Sequence, residues 1–152
     1  TSELYNCLCE SFPHIHIEEE KLKFKIHELK PDLKILVAED NAINQKVART
    51  LFKNIGYEIE IAQNGLEVLQ KIDNTQYDII FMDVMMPEMD GLQATREIRQ
   101  KGNTIPIIAM TANIAKEERS NALNSGMDDY ITKPVRIDVV KKILIKLFSK
   151  EL

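Results

Sequence analysis

The sequence predicts a doubly wound α/β fold on a five-stranded parallel sheet, and three observations predict it. From Lys34 onward, short apolar runs alternate with segments of helical periodicity. Three of those runs, "KILVA" (34–38), "DIIFM" (78–82) and "IPIIAM" (105–110), are apolar apart from the leading Lys34 and Asp78. Such strands are buried on both faces, which calls for a parallel sheet covered by helices on each side. The alternation repeats as five strand–helix units, too few for an eight-stranded barrel.

Each element follows in order. "KILVA" is too short for a helix. In "AINQKVARTLFKNIG" (42–56), Ile43, Val47, Leu51 and Ile55 recur every four residues, and Gly56 stands where a helix C-cap is expected. "YEIEIA" (57–62) alternates like a strand with one wetter face, and "GLEVLQKI" (65–72) reads as a short helix. "DIIFM" is followed by "GLQATREIRQKG" (91–102), a polar helix closed by Gly102. "IPIIAM" tolerates Pro106 at its start. "AKEERSNALNSG" (115–126) is a charged helix ending on Gly126, and "DYIT" (129–132) is a short strand. "IDVVKKILIKLF" (137–148) closes the chain with Val140, Ile143, Leu144 and Leu147 on one face. The flavodoxin-like strand order 2-1-3-4-5 is the natural arrangement, and sites in such sheets form at the carboxyl ends of the strands.

Composition narrows the function. The 152 residues suit one domain with an appendage, and a hydrophobic fraction of 44% supports an ordinary core. The net charge is −4 with basic residues scattered, which argues against nucleic acid or a membrane surface as the main partner. No apolar run reaches the length of a membrane span, and no signal-peptide pattern opens the chain. Cys7 and Cys9 are too close for a disulfide framework and lack a second ligand pair for zinc. A cytoplasmic, reducing setting is expected.

Chemistry-bearing residues collect at the strand ends. Glu39 and Asp40 follow the first strand, Asp83 the third, Thr111 the fourth, and Lys133-Pro134 the fifth. Taken singly, an acid before a helix is an N-cap, a threonine caps a turn and a lysine is a surface charge. Together they converge, because strands 1, 3, 4 and 5 lie side by side. Three gathered carboxylates need a cation, and hard oxygen ligands suit Mg²⁺. An ammonium and a hydroxyl facing the same point suit a phosphoryl group. Asp83 is then the candidate nucleophile, forming an aspartyl phosphate.

"LVAEDN", "MDVMMPEMDG", "AMTAN" and "DDYITKP" resemble the motifs of response-regulator receiver domains of two-component signalling. The resemblance runs from about Lys34 to Ser149, and the wording is closest to receivers of hybrid sensor histidine kinases. It implies that Asp83 is the phosphoacceptor and that Asp40, Asp83 and the backbone carbonyl of Met85 ligate Mg²⁺ (or Mn²⁺), with Glu39 acting through water. It further implies that Lys133 pairs with a phosphoryl oxygen, that Thr111 turns toward the phosphate, that Tyr130 moves inward behind it, and that Ala112 keeps the site open. The implied partner is a histidine kinase or a histidine phosphotransfer domain. Ala42 and Ile43 sit beside the site, and an apolar residue exposed there would meet a helix of such a partner; the alternative is that Ile43, in the helix stripe, is core. Beyond its own phosphorylation and dephosphorylation no enzyme activity is expected of this chain; a parent hybrid kinase is compatible with the motifs. A cis Lys133–Pro134 bond is expected from the turn that aims Lys133 back at the site.

Competing readings are weaker. An aspartate-nucleophile phosphatase typically carries a second acid two residues on, where this chain has Met85. A nucleotide-binding loop lacks its glycines in "AEDNAIN". A pseudo-receiver or scaffold is the alternative, which the intact acidic set disfavours. Residues 1–30 fall outside the pattern, leaving 31–152 as the receiver. "HIHIEEEKLKFKIHEL" (14–29) reads as a β-hairpin or two edge strands, with Pro31-Asp32 as linker. "KLKFKIHEL" loosely resembles the last strand of a kinase ATP-binding domain. The alternative is a hairpin that packs on this receiver or on a second copy, making a dimer.

Overall fold

The structure, a computed structural model, describes residues 32–112 and 116–148. The hairpin expected within residues 14–29 lies outside them. Residues Pro31–Val139 form one compact unit; the rest of the last helix belongs to a second unit. The elements are β1 (Ile35–Ala38), α1 (Ala42–Ile55), β2 (Ile59–Ala62), α2 (Gly65–Asn74), β3 (Ile79–Asp83), α3 (Gly91–Gln100), β4 (Ile107–Thr111), α4 (Lys116–Ser125), β5 (Asp129–Thr132) and α5 (Ile137–Phe148). All neighbouring strand pairs are parallel, in the order β2-β1-β3-β4-β5. This is the flavodoxin-like order expected. No described helix is long and apolar enough to cross a membrane.

Strand pleat divides the core. Leu36, Ala38, Ile80, Met82, Ile107 and Ala109 join Val68 of α2, Ala94 and Ile98 of α3 and Ala122 of α4 in one buried cluster. The alternate positions point the other way. There Phe81 meets Phe52 of α1 edge-on, with ring centroids 5.1 Å apart. In α5, Val140, Ile143, Leu144 and Ile145 are buried, whereas Leu147 is exposed.

Local hydrogen bonds explain where elements begin and end. Asn41 caps α1, its Oδ1 accepting from the Ile43 and Asn44 backbone N–H groups. Gly56, at φ +114°, ends α1 in the left-handed region. The Tyr57 N–H then donates back to Phe52 O, so β2 begins at Ile59 rather than Tyr57. Pro106 similarly stays outside β4, its carbonyl accepting from Ile80 N. The apolar stripe of α1 is only half core. Leu51 and Ile55 are buried, but Ile43 is 72% exposed and Val47 53%.

Arg99 of α3 ties three segments together. Its Nε donates to Gly126 O, its Nη1 to the carbonyls of Asn103 and Ile105, and its Nη2 to Asp128 Oδ2. Asp128 Oδ2 in turn accepts from Ile107 N at the start of β4. Arg99→Ala is expected to lower stability by about 2 kcal/mol, since carbonyls lose a charged donor. Arg99→Lys is expected to restore little, because one ammonium cannot span four acceptors as a planar fork does. Urea midpoints at unchanged slope measure both; a full rescue by lysine contradicts the bracing role.

Candidate functional site

The carboxyl ends of β1, β3, β4 and β5 bring Glu39, Asp40, Asp83, Thr111 and Lys133 to one end of the sheet. Asp83 is the last residue of β3, opposite Met110 in the parallel register, and Thr111 is the last residue of β4. By alternation Asp83 shares the face of Phe81. A rigid, fully buried strand thus ends in one acid whose position is fixed by four preceding apolar residues.

Lys133 links the acids. Its Nζ lies 2.7 Å from Asp83 Oδ2 and 2.9 Å from Glu39 Oε2. Its own N–H donates to Thr111 O at 2.8 Å, which fixes its backbone beside β4. The Lys133–Pro134 bond is cis, as expected. Glu39 is held from several directions. The Asn41 N–H and Asn44 Nδ2 donate to its Oε1, and Gln45 Nε2 donates to its carbonyl. Asp83 Oδ1 accepts the Met85 N–H at 3.1 Å. The side chain of Met85 is exposed, so only its backbone serves the site.

These surroundings push the two buried acids in opposite directions. Burial works to raise Glu39, but Lys133 and the donors of Asn41 and Asn44 outweigh it and hold the carboxyl below its ordinary value. For Asp83 burial wins: Lys133 and the Met85 N–H offset it only in part, Glu39 adds repulsion, and the carboxyl is raised. Burial works to lower Lys133, yet Asp83 and Glu39 keep the ammonium above its ordinary value.

Glu39, Asp40 and Asp83 each present a carboxylate oxygen within 4.8 Å of the others. Asp40 is exposed while Glu39 and Asp83 are buried. Three carboxylates against one ammonium leave two negative charges in excess, and the donors are all hard oxygens. That donor set fits a divalent cation of the Mg²⁺ type.

Thr111 is buried and its hydroxyl donates to Glu118 Oε2, while the half-buried Tyr130 accepts at its hydroxyl from Arg119 Nη1. Ala112, Ala42 and Ile43 are exposed beside this end of the sheet. Sequence reasoning missed the supporting side chains Asn44, Gln45, Glu118 and Arg119. Polar residues on the first turn of α1 were the available sign of the first pair. Nothing local marks the second pair, whose partners come from other strands.

The comparisons with known proteins agree with this geometry. Residues 35–145 match the family model described as the response regulator receiver domain. The chain is 41% identical over 113 residues to the sensor histidine kinase RcsC of Escherichia coli K12, and 38% identical over 164 residues to probable histidine kinase 1 of Oryza sativa subsp. indica. Those alignments cover 74% and 84% of this chain but 12% and 17% of those proteins, so the chain spans a small part of the curated relatives it matches. Among solved structures it resembles the receiver domain of sensor histidine kinase PA1611 from Pseudomonas aeruginosa PAO1, which has a magnesium ion coordinated in its active site cleft. That match has TM-score 0.71 and 37% identity, covering 76% of this chain and 97% of that one. It also resembles the chain of a Saccharomyces cerevisiae co-crystal of the phosphotransfer protein Ypd1 with the receiver domain of Ssk1. There the TM-score is 0.72 and the identity 29%, covering 78% of this chain and 90% of that one. With the family model spanning most of the chain and the acidic site at the strand ends its fold provides, this chain belongs to the response regulator receiver domain family of two-component signalling.

Proposed function

We propose that Asp83 accepts a phosphoryl group from a phosphohistidine of a histidine kinase or histidine phosphotransfer domain. The observation that carries this reading is the buried Asp83 at a strand end, paired with Lys133 and grouped with Glu39 and Asp40. An Asp83 oxygen forms the new bond to phosphorus as the P–N bond breaks, and the imidazole leaves with that electron pair. Lys133 follows the transferred oxygens from its place against Asp83. Asp40, Asp83 and the Met85 carbonyl would hold Mg²⁺ (or Mn²⁺), with Glu39 acting through water. Bound there, the cation would neutralise charge on the phosphoryl oxygens. Thr111 turns toward the phosphorylated Asp83, and Tyr130 moves in behind it.

The partner meets the chain at the start of α1. Ala42 and Ile43 are exposed there, and Val47 continues the strip into an apolar groove of about 180 Å³ that reaches Pro134 and Val135. Exposed apolar residues beside a reacting group suit a partner helix. Residues 31–152 constitute the receiver and 1–30 a linker or a piece of an upstream domain. The setting is cytoplasmic, within or beside a hybrid histidine kinase.

Incubation with acetyl phosphate or a phosphohistidine donor tests the reading. We expect one acid-labile phosphoryl group, mapped to the Asp83 peptide, in the whole chain and in residues 31–152 alike, and none in EDTA. Ile43→Glu should slow transfer from the histidine donor about tenfold and leave acetyl phosphate labelling unchanged. Labelling that persists in EDTA or maps to another residue overturns the assignment.

A further inference from the structure

One turn of α4 grips both residues of the proposed switch. The Thr111 hydroxyl donates to Glu118 Oε2 at 3.1 Å. Arg119 Nη1 donates to the Tyr130 hydroxyl at 3.1 Å, and its guanidinium carbon sits 5.6 Å from the centre of that ring. Glu118 and Arg119 are adjacent in sequence, and Thr111 and Tyr130 lie on the adjacent strands β4 and β5.

A threonine hydroxyl has one proton to donate. While that proton is given to Glu118, it is withheld from any acceptor oxygen carried on Asp83. The hydrogen bond and the cation–π contact likewise favour Tyr130 in its half-buried resting place. The arrangement is not fully satisfied. Arg119 Nε is buried without a hydrogen-bond partner among the described residues, a cost carried by the resting state. The helix that carries both side chains is lightly fastened. Among its described side chains, only Ala122 and Ser125 are buried. Elements with few buried contacts move at low cost.

We infer that Glu118 and Arg119 are positioning residues that hold Thr111 and Tyr130 in their resting places and so set how readily Asp83 takes a phosphoryl group. This rests on the proposed function of Asp83. A change driven by phosphorylation needs a contact that differs between the two states. Here the difference is the exchange of one acceptor for another at the Thr111 hydroxyl. Glu118 lowers the population of the accepting state, and its removal raises apparent affinity by the same factor.

The test uses the full chain with beryllofluoride and Mg²⁺ as the phosphoryl mimic, alongside acetyl phosphate labelling. Glu118→Ala is expected to tighten beryllofluoride binding about three- to tenfold and to speed labelling similarly, with melting temperature little changed. Glu118→Gln keeps an acceptor without the charge and is expected to fall between the two. In a Thr111→Ala background the gain is expected to vanish, because no hydroxyl remains to be released. Without ligand, Arg119→Ala is expected to shift the Tyr130 ring resonances toward their beryllofluoride-bound positions. A wild type that neither labels nor binds beryllofluoride overturns the functional reading itself. A reactive wild type with no gain in Glu118→Ala, or with an equal gain when Thr111 is absent, overturns this inference alone.

Discussion

Asp83→Asn is expected to abolish phosphoryl uptake and at the same time to raise the melting temperature. Loss of uptake follows from chemistry: an amide oxygen is not a nucleophile of carboxylate strength, and no other acid occupies the end of β3. The stability gain follows from electrostatics. Burial raises Asp83 despite its contact with Lys133. A carboxyl with a raised folded pKa favours its protonated form in the native state. Its contribution to stability is therefore lost as pH rises through that folded value, and near neutrality the ionised form is a net cost. Asparagine has the same shape without the charge, and Lys133 keeps Glu39 as its partner at 2.9 Å. A gain of about 1 kcal/mol, roughly 4 °C, is expected without divalent cation. Adding Mg²⁺ should narrow the gap, because a ligand that binds the native state stabilises it, and the wild type keeps all three carboxylates. Differential scanning calorimetry with and without Mg²⁺ measures this directly. A variant that still labels, or that melts several degrees below the wild type, contradicts the account.

That trade between stability and reactivity explains why the site was legible before the fold was seen. A chain that ends buried strands on acids works against its own packing, and such local conflicts mark function. Asp83 and Glu39 stood out because the runs before them are apolar and short, and Lys133 because its strand ends beside theirs. The parallel sheet was readable from the same runs, since continuous apolarity means two covered faces. The extension of the exposed surface from Ile43 to Val47 was not. Periodicity shows that four residues share one face of α1; it cannot distinguish a face packed on the sheet from one turned outward. Element ends were displaced where a neighbouring element claimed a backbone group, as α1 claims the Tyr57 N–H. Arg99 looked like one more charge on a polar helix. Its four acceptors come from the turns after α3 and α4, which no local window contains. The grip of Glu118 on Thr111 was hidden in the same way.

Gly91→Ala is expected to be the most destabilising small substitution near the site. At the first position of a helix, alanine is ordinarily better than glycine by up to about 1 kcal/mol. Here the methyl group has nowhere to go. It would overlap the backbone oxygen of Asp83 and lie 2.8 Å from Cγ of Met82. Neither side can yield freely. The Gly91 N–H donates to Val84 O, and the Thr95 hydroxyl donates to Gly91 O at 2.7 Å. Ala94, Thr95 and Ile98 anchor α3 in the core, and Met82 is fully buried. Relief requires α3 to lift or the end of β3 to bend. We expect a loss of about 3 kcal/mol or more, near 10 °C in melting temperature. The molecules that remain folded should label more slowly as well, because a displacement of about 1 Å at the nucleophile can cost roughly a hundredfold in rate. Gly56→Ala separates backbone strain from collision. Gly56 has φ +114° but open space at its Cβ position, so alanine there meets only the left-handed penalty, about 1 kcal/mol, and labels normally. If Gly91→Ala melts within 2 °C of the wild type and labels at the same rate, the end of β3 is softer than its burial implies, and the rigid placement of Asp83 argued above fails with it.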